Sequence, residues 1–93
     1  MKFELNGYDV IFNRDKLMAT VYKDEHKVMI VDFDEDTSIY NIVGGVALMM
    51  AFDGLLSEED IEDVMEICGI PMENAREELR LMRESKRRIH IAS

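Results

Sequence analysis

Cysteine is nearly missing from this chain: Cys68 stands alone among 93 residues. A single thiol forms no internal disulfide and no multi-cysteine metal site. Cys68 falls on an apolar helical face, where cysteine serves as a small core residue. No stretch of 18 apolar residues occurs, so no membrane-spanning helix is expected. The segment from Met1 to Gly7 lacks the apolar core of a signal peptide, and a cytoplasmic location is the expectation. Sequence signatures of catalysis are also missing. Ser38, Ser57, Ser85 and Ser93 sit in no nucleophile motif, and Gly44-Gly45 lacks the further glycines and the Lys-Ser/Thr pair of a phosphate loop. His26 and His90 have no cysteine nearby and no helical partner of the kind a metal pair needs. No acid–base or nucleophile pair is visible, so neither an enzyme nor a cofactor is expected.

What is present is a globular composition, 47% hydrophobic and 33% charged, long enough for one domain over residues 1–93. The net charge of −9 is uneven: residues 1–73 carry −12 and residues 74–93 carry +3. The acidic bulk disfavours broad attraction to nucleic acid or to an anionic membrane.

The first third alternates in the manner of strands. Asn6-Gly7 between Phe3-Glu4-Leu5 and Tyr8 to Phe12 predicts a tight hairpin, because both turn residues tolerate positive φ. Leu17 to Lys23 predicts a further strand, and Asp24-Glu25-His26 a turn. Val28 to Phe33 is the most hydrophobic strand candidate and is expected at the centre of the sheet. Asp32 to Asp36 opens like a calcium-binding EF-hand loop, but Thr37 stands where the loop needs Gly and Val43 where it needs a bidentate Glu. An acidic turn is the simpler reading. Ser38, Ile39, Tyr40, Asn41, Ile42 and Val43 then read as a last strand, with Gly44-Gly45 swinging the chain into a helix.

The remainder reads as helical. Val46 to Phe52 is nearly all apolar, with Gly54 just past its end. Ser57 caps a second helix whose first turn holds Glu58, Glu59 and Asp60, and Gly69 ends it. Pro71 restarts the chain, and a third helix is expected from about Met72 to about Lys86, with Met72, Ala75, Leu79 and Met82 facing inward. Arg87 to Ile91 is expected to add a short strand. Most of the eight methionines fall on core faces. Arg76, Arg80, Arg83 and Arg87 share one face of the third helix beside its apolar stripe. They form either a solvated face laced with pairs such as Glu73–Arg76 and Glu84–Arg88, or a docking face for something acidic.

This order of elements resembles the PqqD-like family, the precursor-peptide recognition element of ribosomal peptide modification systems. The matching segments are Val28 to Val31, Tyr40-Asn41, Ala47 to Met50 leading to Asp53-Gly54, Ser57 to Ile61, Leu79 with Met82, and Ile89-His90-Ile91. The chain departs from the family at Lys86-Arg87-Arg88, where members often carry Gly. The resemblance implies an α+β fold, a small antiparallel sheet packed on a three-helix, winged-helix-like bundle. It implies a non-catalytic domain that binds the leader of a precursor peptide as an added strand and delivers it to a modifying enzyme, often a radical SAM maturase. Carried over, the peptide site is Ser38 to Val43 with Arg76, Leu79, Arg80, Arg83 and Arg87 along helix three. Backbone pairing would supply register and alternate pockets specificity.

Two other readings compete. A winged-helix DNA-binding regulator is favoured by the arginines and opposed by the −12 elsewhere. An acidic phage-type inhibitor that mimics DNA is favoured by size and charge and opposed by the basic helix. An exposed edge strand is equally able to pair with a second copy of the chain, giving a homodimer.

Overall fold

Four strands in an antiparallel meander lead into three helices, in a computed structural model that describes residues 1–35 and 37–92, with side chains described for 1–35, 37–38 and 41–85. The strands are β1 (Lys2–Leu5), β2 (Tyr8–Asn13), β3 (Met18–Lys23) and β4 (His26–Asp32), in the order β1-β2-β3-β4. The helices are α1 (Ile39–Phe52), α2 (Glu58–Cys68) and α3 (Met72–Ala92). The α+β class expected from the sequence is what the chain forms.

Local turn chemistry sets the meander. Asn6 (φ 48°) and Gly7 (φ 84°) are both left-handed, as the hairpin turn between β1 and β2 requires. Asp24 (φ 50°) and Glu25 (φ 71°) repeat this conformation between β3 and β4 without a glycine. Asn13 Oδ1 accepts from the backbone N–H of Asp15 (3.0 Å) and Lys16 (3.2 Å), bending the chain between β2 and β3. Leu5, Val10, Phe12, Ala19, Val21, Met29 and Val31 fill the inner face of the sheet and pack in one core with Ile42, Val46, Met50, Ile61, Met65, Ala75 and Leu79 of the helices. Alternation leaves Ile11, Thr20 and Ile30 in a cross-strand row on the opposite face.

Five expectations are corrected here. Ser38 to Val43 is not a strand: Ser38 caps α1, its Oγ accepting from the Asn41 N–H at 3.2 Å, and Ile39 to Val43 are the first turns of that helix. The β-branched and aromatic residues favour strand locally, but Ile42, Val43, Val46, Ala47 and Met50 recur at helical spacing and bury one face. Gly44-Gly45 therefore lies inside a helix and not at its entry. The hydrophobic strand β4 lies at the edge of the sheet and not at its centre. Arg87 to Ile91 continues α3, because no Gly or Pro interrupts the chain after Pro71. His26 belongs to β4 and not to the turn before it. Asp36, part of the expected acidic turn, lies outside the described residues.

The stop signals act as read. Gly54 (φ 80°) follows α1, its N–H donating to the Ala51 carbonyl at 3.0 Å. Ser57 and Asp60 form a reciprocal capping box at α2. Asp60 Oδ2 also accepts from Asn6 Nδ2 at 3.0 Å, tying the first hairpin to α2. Gly69 (φ 71°) closes α2 in the left-handed conformation.

Two stability outcomes follow. Ser57→Ala removes half of the capping box and is expected to cost about 1 kcal/mol in urea unfolding. Glu25→Gly relieves a left-handed residue that carries a Cβ. Strain relief of roughly 1–2 kcal/mol outweighs the added chain entropy, so stability is expected to rise by about 0.5–1 kcal/mol. A fall in stability would place the strain elsewhere.

Candidate functional site

Strand β4 combines apolar composition with an unpaired edge. Among the described residues it pairs with β3 alone, in a register that sets Ala19 opposite Val31 and Thr20 opposite Ile30, with an irregularity after Val21 that leaves Val28 as an extra residue. Just beyond the strand, the Phe33 N–H donates to the Leu17 carbonyl at 2.9 Å. Antiparallel pairing alternates, so Phe33, Val31 and Met29 turn their backbone groups toward β3. Ile30 and Asp32 turn theirs toward the open edge. Met29 and Val31 are buried, whereas Val28 and Ile30 stay 43% and 45% exposed. An edge strand with two accessible aliphatic side chains is a template for another extended chain.

A cleft of about 310 Å³ lies between α1 and α3. Gly44, Gly45 and Leu48 line it from α1, and Asn74, Ala75 and Glu78 from α3. The two glycines let neighbouring groups close onto α1. A Cβ on Gly45 would lie 2.9 Å from Phe33 Cε1, and one on Gly44 2.6 Å from Ile70 Cδ1. Phe33 also meets the Phe12 ring edge to face at 6.1 Å, which fixes its orientation over Gly45. Phe33 thus packs the end of β4 against Gly45, one of the residues that line the cleft.

The arginine stripe divides. Arg80 Nη1 lies 2.7 Å from Glu84 Oε1, and its Nε donates to Glu77 Oε2 at 3.2 Å. Arg76 Nε donates to Glu58 Oε1 of α2 at 3.1 Å, not to Glu73. Arg83 forms no ion pair among the described residues. Arg76, Leu79 and Arg83 line a second cleft beside α2, on the flank of α3 opposite Asn74 and Glu78. The sequence-predicted site is therefore not one surface. Asn41 lines the cleft between α1 and α3, whereas Arg76, Leu79 and Arg83 line the cleft beside α2, and the Arg87 side chain lies outside the described residues. Ser38 and Asn41 are exposed, Ile42 is buried and Val43 half-buried. Phe33, Gly45 and the edge of β4 went unread as site residues. The available signal was Val28 and Ile30 alternating with Met29 and Val31, the pattern of a strand covered on one face only.

Hydrogen bonding from Arg80, aided by its charge, holds Glu77 below the usual carboxylate value, and Glu77 in turn raises Arg80. Burial pushes the Cys68 thiol up, away from reactive thiolate. Among the described residues no helix is long and apolar enough to cross a membrane, and no three His, Cys, Asp or Glu gather as metal ligands.

Because Glu77 titrates lower when folded than when unfolded, its contribution is present above roughly pH 4.3 and disappears as pH falls through the folded value. Wild type is therefore expected to lose more stability than Glu77→Gln between roughly pH 5 and pH 3, with the difference suppressed in molar salt. Identical acid profiles in urea unfolding would remove this pair from α3 stability.

Comparison with protein-family models, with curated proteins and with solved structures finds no match to this chain.

Proposed function

We propose that this chain is a non-catalytic peptide-binding module, which takes up an extended peptide as a fifth strand along β4. The observation that carries the reading is the apolar seven-residue β4, paired on one side only among the described residues. An added strand would bond to the N–H and C=O groups of Ile30 and Asp32. Its side chains would alternate between the exposed face near Ile30 and the inner side near Phe33 and the α1–α3 cleft. The resemblance to PqqD-like domains supplies the rest of the proposal. The peptide is the leader of a ribosomally made precursor, the helices act as a winged-helix-like support, and the complex is presented in the cytoplasm to a modifying enzyme such as a radical SAM maturase. The seat differs from the one carried over by resemblance, since Ser38 to Val43 is helical and offers no strand edge.

DNA binding is less well supported. Arg76 and Arg80 are already engaged with carboxylates, and residues 1–73 carry −12. Pairing of β4 with a second copy meets the mutual repulsion of two chains of charge −9.

The test is selection of binders from a displayed random-peptide library on immobilised protein, followed by amide exchange on the complex. Bound peptides are expected to slow exchange at Ile30 and Asp32. Ile30→Pro removes an outward N–H without touching the β3 ladder, and is expected to abolish binding with native circular dichroism retained. Binders that leave these two amides unprotected, or that bind Ile30→Pro equally well, overturn the strand-addition reading. Concentration-dependent protection without peptide assigns the edge to self-association.

A further inference from the structure

Arg83 is the cation in the described part of α3 that enters no ion pair, and it borders an apolar cleft. That cleft, about 290 Å³, lies between α1, α2 and α3 on the flank away from Asn74 and Glu78. Its apolar lining comes from Leu56, Ile61, Met72 and Leu79. Arg76 stands one heptad before Arg83 on the same face, and its hydrogen bond to Glu58 goes through Nε, so the Nη groups keep donor capacity for a further carboxylate. Two guanidinium groups beside an apolar depression are unusual on a chain that is otherwise strongly acidic.

We propose that this cleft is a second docking site, for a protein segment that carries a carboxylate side chain next to an aliphatic one. The aliphatic group enters between Leu56, Ile61 and Leu79, and the carboxylate meets Arg83 and the free edge of Arg76. Charge complementarity selects the occupant. A basic segment is repelled by the arginines and a neutral one gains only weaker hydrogen bonds, whereas a guanidinium pairs with a planar carboxylate through two parallel charge-assisted bonds. The volume lies just below the roughly 300–1,000 Å³ typical of small-molecule pockets, which favours side-chain anchors over a cofactor. A second copy of this chain would bring a net −9 to the same face, with repulsion between the two bodies opposing the local attraction. Glu58 is the built-in competitor, occupying one edge of Arg76 until an incoming carboxylate displaces it. The site is independent of strand addition at β4. A peptide held on one face and an acidic–aliphatic segment on the other would let one domain bridge two chains.

The experiment titrates acetyl-Leu-Glu-Leu-amide and acetyl-Leu-Gln-Leu-amide into the full chain, following methyl shifts of Leu56, Ile61 and Leu79. Saturable shifts confined to this cleft are expected, with the Glu peptide binding about three- to tenfold more tightly than the Gln peptide. Arg83→Gln is expected to erase most of that preference. Glu58→Gln is expected to tighten binding of the Glu peptide, a gain that misfolding does not produce. Ile30→Pro is expected to bind like wild type, which separates failure here from failure at β4. Equal affinity for the two peptides, no saturable shift at the cleft, or no gain in Glu58→Gln overturns the proposal. Shifts that appear on concentrating the protein alone assign the cleft to a second copy and overturn it too.

Discussion

Helix α1 is the constraint on which the remaining architecture depends. It is apolar on nearly all sides, so burying one face leaves the others in water. The inner face of the sheet, α2 and α3 each cover part of it, and Val46, Ala47 and Met50 are fully buried as a result. Gly44 and Gly45 lower its intrinsic helix propensity by roughly 1 kcal/mol each relative to Ala. They also permit contacts that a Cβ would obstruct, with Ile70 beyond α2 on one side and Phe33 beyond β4 on the other. Tertiary packing and close approach therefore outweigh local preference in this helix.

The sheet has a different economy. Its inner face is filled by the strand residues that meet α1, while its outer face keeps Ile11, Val28 and Ile30 partly in water. An apolar edge strand is a hazard for any isolated domain. Here the hazard is moderated by charged neighbours, with Lys27 at one end of β4 and Asp32 at the other, and by the irregularity that sets Val28 out of register. Such an edge resists unselective aggregation while keeping the backbone groups of Ile30 and Asp32 accessible.

Charge is organised to match. Glu77, Arg80 and Glu84 form a local ladder on α3 that supports an exposed helix and leaves Arg80 little capacity for a partner. Arg76 is shared with α2 through Glu58. Arg83 remains outside these pairs, among the described residues, next to apolar surface. Arg76, Arg80 and Arg83 share one face of a helical wheel, yet they become inequivalent once Glu58 of α2 takes Arg76 and the α3 acids Glu77 and Glu84 take Arg80.

The sequence by itself determined those features whose cause lies within a few residues. Asn6-Gly7 accommodates a left-handed turn, Ser57 and Asp60 cap α2 from three residues apart, and Gly54 and Gly69 end helices through positive φ. The inward stripe of Ala75 and Leu79 was equally legible, because helical periodicity displays it directly. Tertiary structure decided the rest. Ser38 to Val43 carries strand-favouring side chains, yet Ile42 and Val46 meet the core only if the segment coils. The hydrophobicity of Val28 to Val31 looked central because composition counts side chains, whereas position in a sheet depends on which strand lies alongside. The candidate site was legible as residue types and illegible as a place. An open strand edge and an uncompensated arginine are both defined by what does not pack against them, and only the folded chain decides that.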